Sequence, residues 1–381
     1  MSARRIRETA TCHNPLVPEP RIYLHRLTSL RFFAALVVVL HHITRDVAPI
    51  PGLSQLTLMG TAGVGFFFAL SGFILTWSHK PDDTLGRFYR KRFARIYPLH
   101  LATFIISILV LIVIGSSFSP AEALTNVLLV QSWVPDSDIY FGMNAPSWSL
   151  ACEALFYAVF PFVIPLIRRL SVRRVAQLTI GTVVLNLVIA IIVTIATESG
   201  EASRFLLYVF PPFRFLGFIA GCALAHWMTV GLRPRTSMWI PVVAMTAAYI
   251  AVFAGQRVLG QDWGHGIEDA LLLPVILWLI AVAAAADLQS RPGILRSRPL
   301  RLLGEWSFAL YLTHWLLAQG VEHYAPGLKE APLGSRVAAD AAFVVVAIAI
   351  AAALYYTIER PAERILRGST ERPAMREKGR A

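Results

Sequence analysis

Charged residues are scarce in this sequence, and their scarcity excludes an ordinary soluble enzyme. Only 15% of the 381 residues are Asp, Glu, Lys or Arg, whereas soluble domains carry about 25%. Hydrophobic residues make up 56% of the chain, and the mean hydropathy is +0.59. That much apolar surface cannot be buried in one water-soluble core, so the composition indicates a membrane protein.

Cysteine is scarce as well. The three cysteines are Cys12, Cys152 and Cys222, and an odd number without regular spacing excludes a disulfide framework and a zinc site. We expect all three to be reduced, and we expect neither a metal centre nor a bound cofactor.

The hydrophobic residues form runs long enough to cross a bilayer, which takes roughly 20 residues each. The sequence therefore predicts an all-α, polytopic integral membrane protein with about ten transmembrane helices. The predicted spans are residues 28–47, 60–79, 97–115, 147–167, 175–196, 205–229, 238–255, 269–288, 304–320 and 336–358. A membrane domain over residues 28–360 is thus expected between a basic tail, 1–27, and a second basic tail, 361–381.

The basic residues lie in the short loops between these runs. Of the 35 lysines and arginines, 28 fall in the tails and in alternate loops, five fall in the remaining loops, and Arg31 and Arg214 fall inside spans. Because cytoplasmic loops of membrane proteins are rich in Lys and Arg, both termini are predicted to be cytoplasmic. The net charge of +12 then reflects multi-pass topology in the cell membrane, and no nucleic acid partner is expected.

Ionisable residues inside the spans are the candidates for a functional site. Each costs roughly 2.5–3.5 kcal/mol at the centre of a membrane helix, so such residues usually face a protein interior. Arg31 and His42 are separated by almost three helical turns and share a face about 16 Å apart, whereas His41 is rotated by about 80°. We expect His42 to share a cavity with Arg31. The alternative is that both residues only bond to neighbouring helices.

Glu153 lies in the fourth span, which runs opposite to the first. It could therefore reach the depth of His42, where a carboxylate would fix the imidazole tautomer and raise its basicity. A pairing of Glu153 with Arg214, or with a backbone group, is equally compatible with the sequence.

The inner loop at residues 87–98 alternates basic and aromatic residues. Arg92 and Arg95 lie one helical turn apart there and could bind a phosphorylated cytoplasmic donor, although contact with anionic lipid headgroups explains many such segments. His41 and Asp46 match the His-x4-Asp spacing of soluble glycerolipid acyltransferases, but such a pair arises easily by chance and carries little weight.

Seven motifs occur in order along nearly the whole chain. They are Arg31-x10-His42, the run from Gly63 to Phe73, Arg92-x-x-Arg95, Trp148-Ser149-Leu150 with Glu153 and Phe156-Tyr157, the run from Phe210 to Phe215 with Gly217 and Gly221, Leu303-Gly304 with Tyr311-Leu312-x-His314, and Ile358-Glu359-Arg360-Pro361. In this combination they resemble the acyltransferase family 3 membrane proteins, also called membrane O-acetylases. One departure is Gly65, where relatives often carry an Asp before the Phe pair.

The resemblance implies transfer of an acyl group from cytoplasmic acyl-CoA, with acetyl-CoA as the foremost donor, to a hydroxyl group. His42 would remove the hydroxyl proton, with Arg31 holding the donor or stabilising the oxyanion and Glu153 as a third catalytic residue. Arg92 and Arg95 would bind the donor phosphates. The orienting or substrate-contacting candidates are Arg214, His314 and Ser71.

The expected partners are acyl-CoA, membrane lipid and a hydroxylated acceptor. For the acceptor, a secondary metabolite such as a macrolide antibiotic is favoured, and a cell-surface or lipid-linked sugar is the alternative. A transporter or flippase of an amphiphilic glycolipid is the competing class of function. The absence of an inverted repeat counts against it.

Overall fold

The computed structural model describes residues 23–57, 60, 62–198, 200–259 and 264–367. These residues form helices and connecting loops without a β-strand, which confirms the all-α prediction. Most of both predicted tails, including Cys12, lies outside the described residues. Cys152 and Cys222 are buried free thiols.

Ten long helices form the described part of the chain. They are α1 (His25–His42), α2 (Ala62–Ser78), α3 (Leu85–Val113), α4 (Trp148–Arg168), α5 (Val172–Ala196), α6 (Pro211–Val230), α7 (Trp239–Leu259), α8 (Gly264–Leu288), α9 (Arg298–Tyr324) and α10 (Leu333–Leu354). Each predicted span overlaps one of them. Seven described segments are long and apolar enough to cross a membrane, and α2 and α7 contain shorter apolar helices. The chain is therefore a multi-pass membrane protein, and the count of ten spans stays a prediction.

Two of the long helices continue beyond their regular ends. A π-helical turn, Ile43–Val47, extends α1. A second such turn, Tyr355–Glu359, joins α10 to a terminal helix, α11 (Arg360–Arg367). The predicted domain boundary at residue 360 therefore falls within continuous helix.

Glycines allow two pairs of helices to approach closely. A Cβ atom on Gly72 of α2 would overlap the carbonyl oxygen of Phe218 in α6, and one on Gly221 of α6 would overlap that of Ala69 in α2. Gly304 of α9 lies in the same way against the backbone of α1. Small residues at helix contacts are typical of membrane bundles, and here they bring α1, α2, α6 and α9 together around the polar interior.

Polar contacts join helix ends that the predicted alternation of inner and outer loops places on the same side of the membrane. Arg26 at the start of α1 forms an ion pair with Asp287 at the end of α8, at 2.7 Å. Arg168 at the end of α4 donates to the carbonyl oxygen of His79, just after α2, at 3.0 Å. We call the end of the bundle that holds these basic residues the inner end. That the inner end faces the cytoplasm stays a prediction.

Candidate active site

Two cavities open among α1, α2, α4 and α9. The inner cavity has a volume of about 150 Å³ and the outer cavity a volume of about 340 Å³. The polar and charged residues of the inner cavity are Arg31, Ser71, Arg92, Arg95, Ser149, Glu153, Tyr157 and Tyr311. The outer cavity is lined by His41, His42, Arg45, Asp46, Arg204 and Gln319, and by aromatic rings that include Phe141, Trp148, Tyr208, Tyr311 and Trp315.

Val64 of α2 and Tyr311 of α9 line both cavities. Arg31 and His42 face the interior from the same helix, as the helical phase predicts. The expectation that they line one cavity was wrong: Arg31 lines the inner cavity and His42 the outer one, and the two spaces meet at Val64 and Tyr311. The site is therefore divided into an inner compartment with Arg31 and an outer compartment with His42.

The imidazole of His42 is held by one of its two nitrogens. Its Nδ1 lies 3.0 Å from the carbonyl oxygen of Val38 and 3.2 Å from Nε2 of His314. His314 Nδ1 lies 2.7 Å from the carbonyl oxygen of Tyr311. A carbonyl oxygen can only accept, so each Nδ1 carries the proton. The single N–H of His42 Nδ1 is then shared between the Val38 carbonyl oxygen and His314 Nε2, and His42 Nε2 is left as an unprotonated base.

Glu153 is not the partner of His42. Tyr157 donates to its carboxylate, with a distance of 2.8 Å between Tyr157 Oη and Glu153 Oε2, and both residues line the inner cavity. Trp148 at the start of α4 is level with the outer cavity, and Glu153 lies five residues, or about 7–8 Å, further along that helix. This rise puts the carboxylate beyond the wall between the cavities. His314 occupies the position beside His42 that the sequence suggested for Glu153.

Arg92 and Arg95 differ in their surroundings although both line the inner cavity. Arg95 donates to Glu359 at 2.5 Å and to Glu363 at 3.0 Å, so two carboxylates offset its charge. Arg92 lies over the rings of Phe88 and Tyr157, at 5.8 Å from each centroid. Among the described residues its buried Nε has no hydrogen-bond partner, so Arg92 retains an unused donor.

Arg214 lines neither cavity. It forms an ion pair with Asp269 of α8 at 2.5 Å and donates to the carbonyl oxygen of Tyr208 at 2.6 Å. Its guanidinium also packs over the rings of Trp148 and Tyr208, which line the outer cavity. The alternative pairing of Glu153 with Arg214 was wrong. In this structure Arg214 packs against the two rings, those of Trp148 and Tyr208, from the side that faces away from the outer cavity.

A carboxylate of α8, that of Asp269, lies next to Gly65. A Cβ atom on Gly65 would lie 3.9 Å from this carboxylate, so α8 supplies an acidic group beside this turn of α2. Asp269 was not predicted, because nothing in its local sequence pattern marks it. Tyr157 and Tyr311 were not predicted as site residues either, although they stand in the motifs.

His41 is a second histidine of the outer cavity. Its Nδ1 lies 2.7 Å from the carbonyl oxygen of Thr57. Within the described part of the chain, no three residues of the types His, Cys, Asp and Glu are grouped so as to hold a metal ion.

Comparison with known proteins agrees with the motifs. A family model described as an acyltransferase domain matches residues 24–356. The acyltransferase MdmB of Streptomyces mycarofaciens is 34% identical over 92% of this chain and 94% of its own length. The O-acetyltransferase OatA of Staphylococcus aureus and the peptidoglycan O-acetyltransferase OatA of Listeria monocytogenes are each 27% identical over 79% and 77% of this chain. The chain spans about half the length of the OatA proteins, at 52% and 49%. No solved structure matches. The chain is thus an O-acyltransferase and belongs to the acyltransferase family 3 that its motifs predict.

Proposed function

We propose that this enzyme transfers an acetyl or other short acyl group from acyl-CoA, bound at the inner cavity, to a hydroxyl group in the outer cavity. The observation that carries the proposal is the pair of cavities with a common wall. Arginines line one of them, and an imidazole with a free ring nitrogen lines the other. We also propose that the protein resides in the cell membrane with its inner end in the cytoplasm, where acyl-CoA is found.

The chemistry follows from the state of His42. A neutral hydroxyl is a poor nucleophile, so its proton must leave during attack. His42 Nε2 takes that proton while the hydroxyl oxygen forms a bond to the thioester carbonyl carbon. The carbon–sulfur bond then breaks, and the imidazolium returns the proton to the departing CoA thiolate. The products are the acylated acceptor and CoA. His314, which accepts from His42 Nδ1, holds the productive tautomer.

The arginines are assigned to the donor. Acyl-CoA is anionic through its phosphates, and a planar guanidinium can bind a phosphate with two parallel hydrogen bonds. Arg92 is the principal candidate because it has an unused buried donor. Arg31 lies about 16 Å along the helix from His42, so the geometry favours donor binding over stabilisation of an oxyanion next to His42. Ser71 lines the same cavity and is assigned to donor contact.

For the acceptor we favour a ring-bearing secondary metabolite such as a macrolide antibiotic. A volume of about 340 Å³ is in the range of sites for small organic molecules, and aromatic walls suit a large ring. The similarity to MdmB extends over nearly all of both chains. A cell-surface or lipid-linked sugar is the second candidate, which the similarity to the OatA proteins favours.

A panel of acceptors tests this proposal. Purified protein in detergent is mixed with acetyl-CoA and either a macrolide with free hydroxyls, a lipid-linked sugar or a peptidoglycan fragment, and products are identified by mass spectrometry. The proposal predicts an acetylated macrolide together with release of CoA thiol. An acetylated sugar alone would support the second candidate. No consumption of the thioester with any acceptor would contradict both.

A further inference from the structure

The two cavities share a boundary at Val64 and Tyr311, which we call the wall. Val64 and Tyr311 are the residues that line both spaces, and both are buried, with 2% and 6% of their surface exposed. If donor and acceptor occupy opposite cavities, the reacting carbonyl must reach the acceptor oxygen past these two side chains. The acyl group therefore has to pass between Val64 and Tyr311, and we call the space between these two side chains the passage.

Tyr311 is the fixed side of this passage. Its hydroxyl donates to the carbonyl oxygen of Pro146 at 3.1 Å, and its ring centroid lies 6.0 Å from those of Phe67 and of His314. A rotation of Tyr311 away from the wall would break that buried hydrogen bond and would also disturb the packing around His314.

Val64 forms the other side of the passage, and its backbone cannot shift toward α1 to widen it. A Cβ atom on the preceding Gly63 would lie 2.5 Å from the carbonyl oxygen of Ala34, so α2 is packed directly on α1 at this level. A valine side chain in a helix has one strongly preferred rotamer. The free width of the passage is therefore set by the two methyl groups of Val64.

We propose that Val64 is the residue that determines which acyl chain lengths this enzyme transfers. The acyl group is the leading end of the donor as it approaches His42, so it is the first part of the donor to meet the wall. Acetyl passes with little displacement of Val64, whereas each added methylene must find space beside its methyl groups. The inference rests on the proposed function, because it requires that acyl-CoA be bound on the inner side of the wall.

Substitutions at Val64 test this assignment in both directions. Val64→Ala removes two methyl groups, and the ratio of kcat/KM for butyryl-CoA to that for acetyl-CoA should rise about tenfold or more, since one methylene in an apolar pocket is worth 10–200-fold. Val64→Phe should block the passage, so that transfer is lost with every donor while acyl-CoA binding at the inner cavity is kept. Val64→Leu, a smaller change, should lower transfer of butyryl more than that of acetyl.

Matched controls separate the passage from the cavities. Val39→Ala and Leu75→Ala remove similar groups, but Val39 lines neither cavity and Leu75 only the inner one. We expect the chain-length ratio of both to stay within about twofold of the wild-type ratio, because neither contributes to the wall and a twofold change is well below the effect of one methylene. Folding of every variant is checked by its elution profile and thermal transition in detergent.

The measurement is a donor series from acetyl-CoA to hexanoyl-CoA with one acceptor, together with direct titration of acyl-CoA binding. An unchanged chain-length ratio in Val64→Ala, or full transfer by folded Val64→Phe, would overturn the assignment of Val64. If the wild-type enzyme consumed no acyl-CoA at all, the proposed function itself would fail, and the two failures are thereby distinguishable.

Discussion

At the scale of single residues, the site depends on which nitrogen of His42 is engaged. The ring is held on its Nδ1 side by Val38 and His314, and it also packs edge-on against Trp315 at 5.0 Å between centroids. These contacts restrict rotation of the imidazole and keep Nε2 directed away from the groups that bond to Nδ1. In many hydrolases a carboxylate accepts the Nδ1 proton of the catalytic histidine. Here the neutral His314 accepts it from His42, without placing a charge in the membrane interior.

The role of His314 can be separated from simple packing. His314→Ala should lower kcat by about 10- to 100-fold, because His42 keeps only the Val38 carbonyl as acceptor for its Nδ1 proton and its ring is oriented less firmly for proton transfer. His314→Gln should recover part of this loss, since its amide oxygen can accept from His42 Nδ1. Steady-state kinetics at saturating acyl-CoA provide the measurement. Equal losses in both variants, with unchanged thermal stability, would contradict the positioning role.

A second residue-scale prediction concerns Asp269. Removing one partner of a buried ion pair costs about 3–5 kcal/mol, so Asp269→Ala should be strongly destabilising because Arg214 is left unpaired. Gly65→Asp in the Asp269→Ala background should recover part of the stability, because it supplies a carboxylate from α2 to the same space. Thermal unfolding in detergent is the measurement. Gly65→Ala is the control, because its Cβ would meet only ordinary contacts. No recovery of stability in the double variant would show that a carboxylate on α2 cannot replace that of Asp269.

At the scale of helices, α3 is joined to a distant part of the chain next to the inner cavity. Arg95 on α3 bonds to Glu359 and to Glu363 of α11, and Arg90 of α3 donates to the carbonyl oxygen of Arg367 at 3.3 Å. The end of the described chain is therefore fixed to α3 through Arg95, which lines the cavity. Arg92, one turn before Arg95, does not take part in this ion-pair network and remains directed at the cavity.

This difference predicts separate consequences for the two arginines. Arg92→Ala should raise the KM for acyl-CoA about tenfold or more, because a charge-assisted hydrogen bond contributes about 1.5–3 kcal/mol, and Arg92→Lys should restore only part of the affinity. Arg95→Ala should instead destabilise the protein by about 3–5 kcal/mol, since it leaves buried Glu359 unpaired. Kinetics normalised to folded protein, with thermal transitions for each variant, distinguish the two. Equal increases in KM with unchanged stability would show that Arg95 is a donor ligand as well.

At the scale of the whole molecule, the helices and their alternation were predictable from the sequence because hydrophobic runs and loop arginines mark them directly. The face shared by Arg31 and His42 was predictable from helical phase. The wall of Val64 and Tyr311 was not, because it depends on how α2 and α9 lie against α1. The same holds for Asp269 and for His314 as the partner of His42, since pairings between distant helices leave no local pattern.

The predicted topology is testable by labelling. Ser335 lies in the first turn of α10 and Arg173 in the first turn of α5. The charge pattern places these helix ends outside and inside, respectively, and both side chains are exposed. In a Cys12→Ser background, Ser335→Cys should react with an impermeant maleimide on intact cells. Arg173→Cys should react only after the membrane is opened, because positively charged loops stay inside. The reverse pattern would invert the orientation and remove the reason for placing acyl-CoA at the inner end.

The most direct test of the central claim is the rate of CoA thiol release, measured together with the amount of acylated acceptor, for wild type, His42→Ala and His41→Ala. We expect wild type to release one thiol for each acylated acceptor. His42→Ala should bind acyl-CoA with unchanged affinity but should turn over at least about 100-fold more slowly, because it lacks the base. His41→Ala, whose ring is tied to Thr57, should keep substantial activity. A His42→Ala enzyme that still acylates the acceptor at close to the wild-type rate would contradict this account.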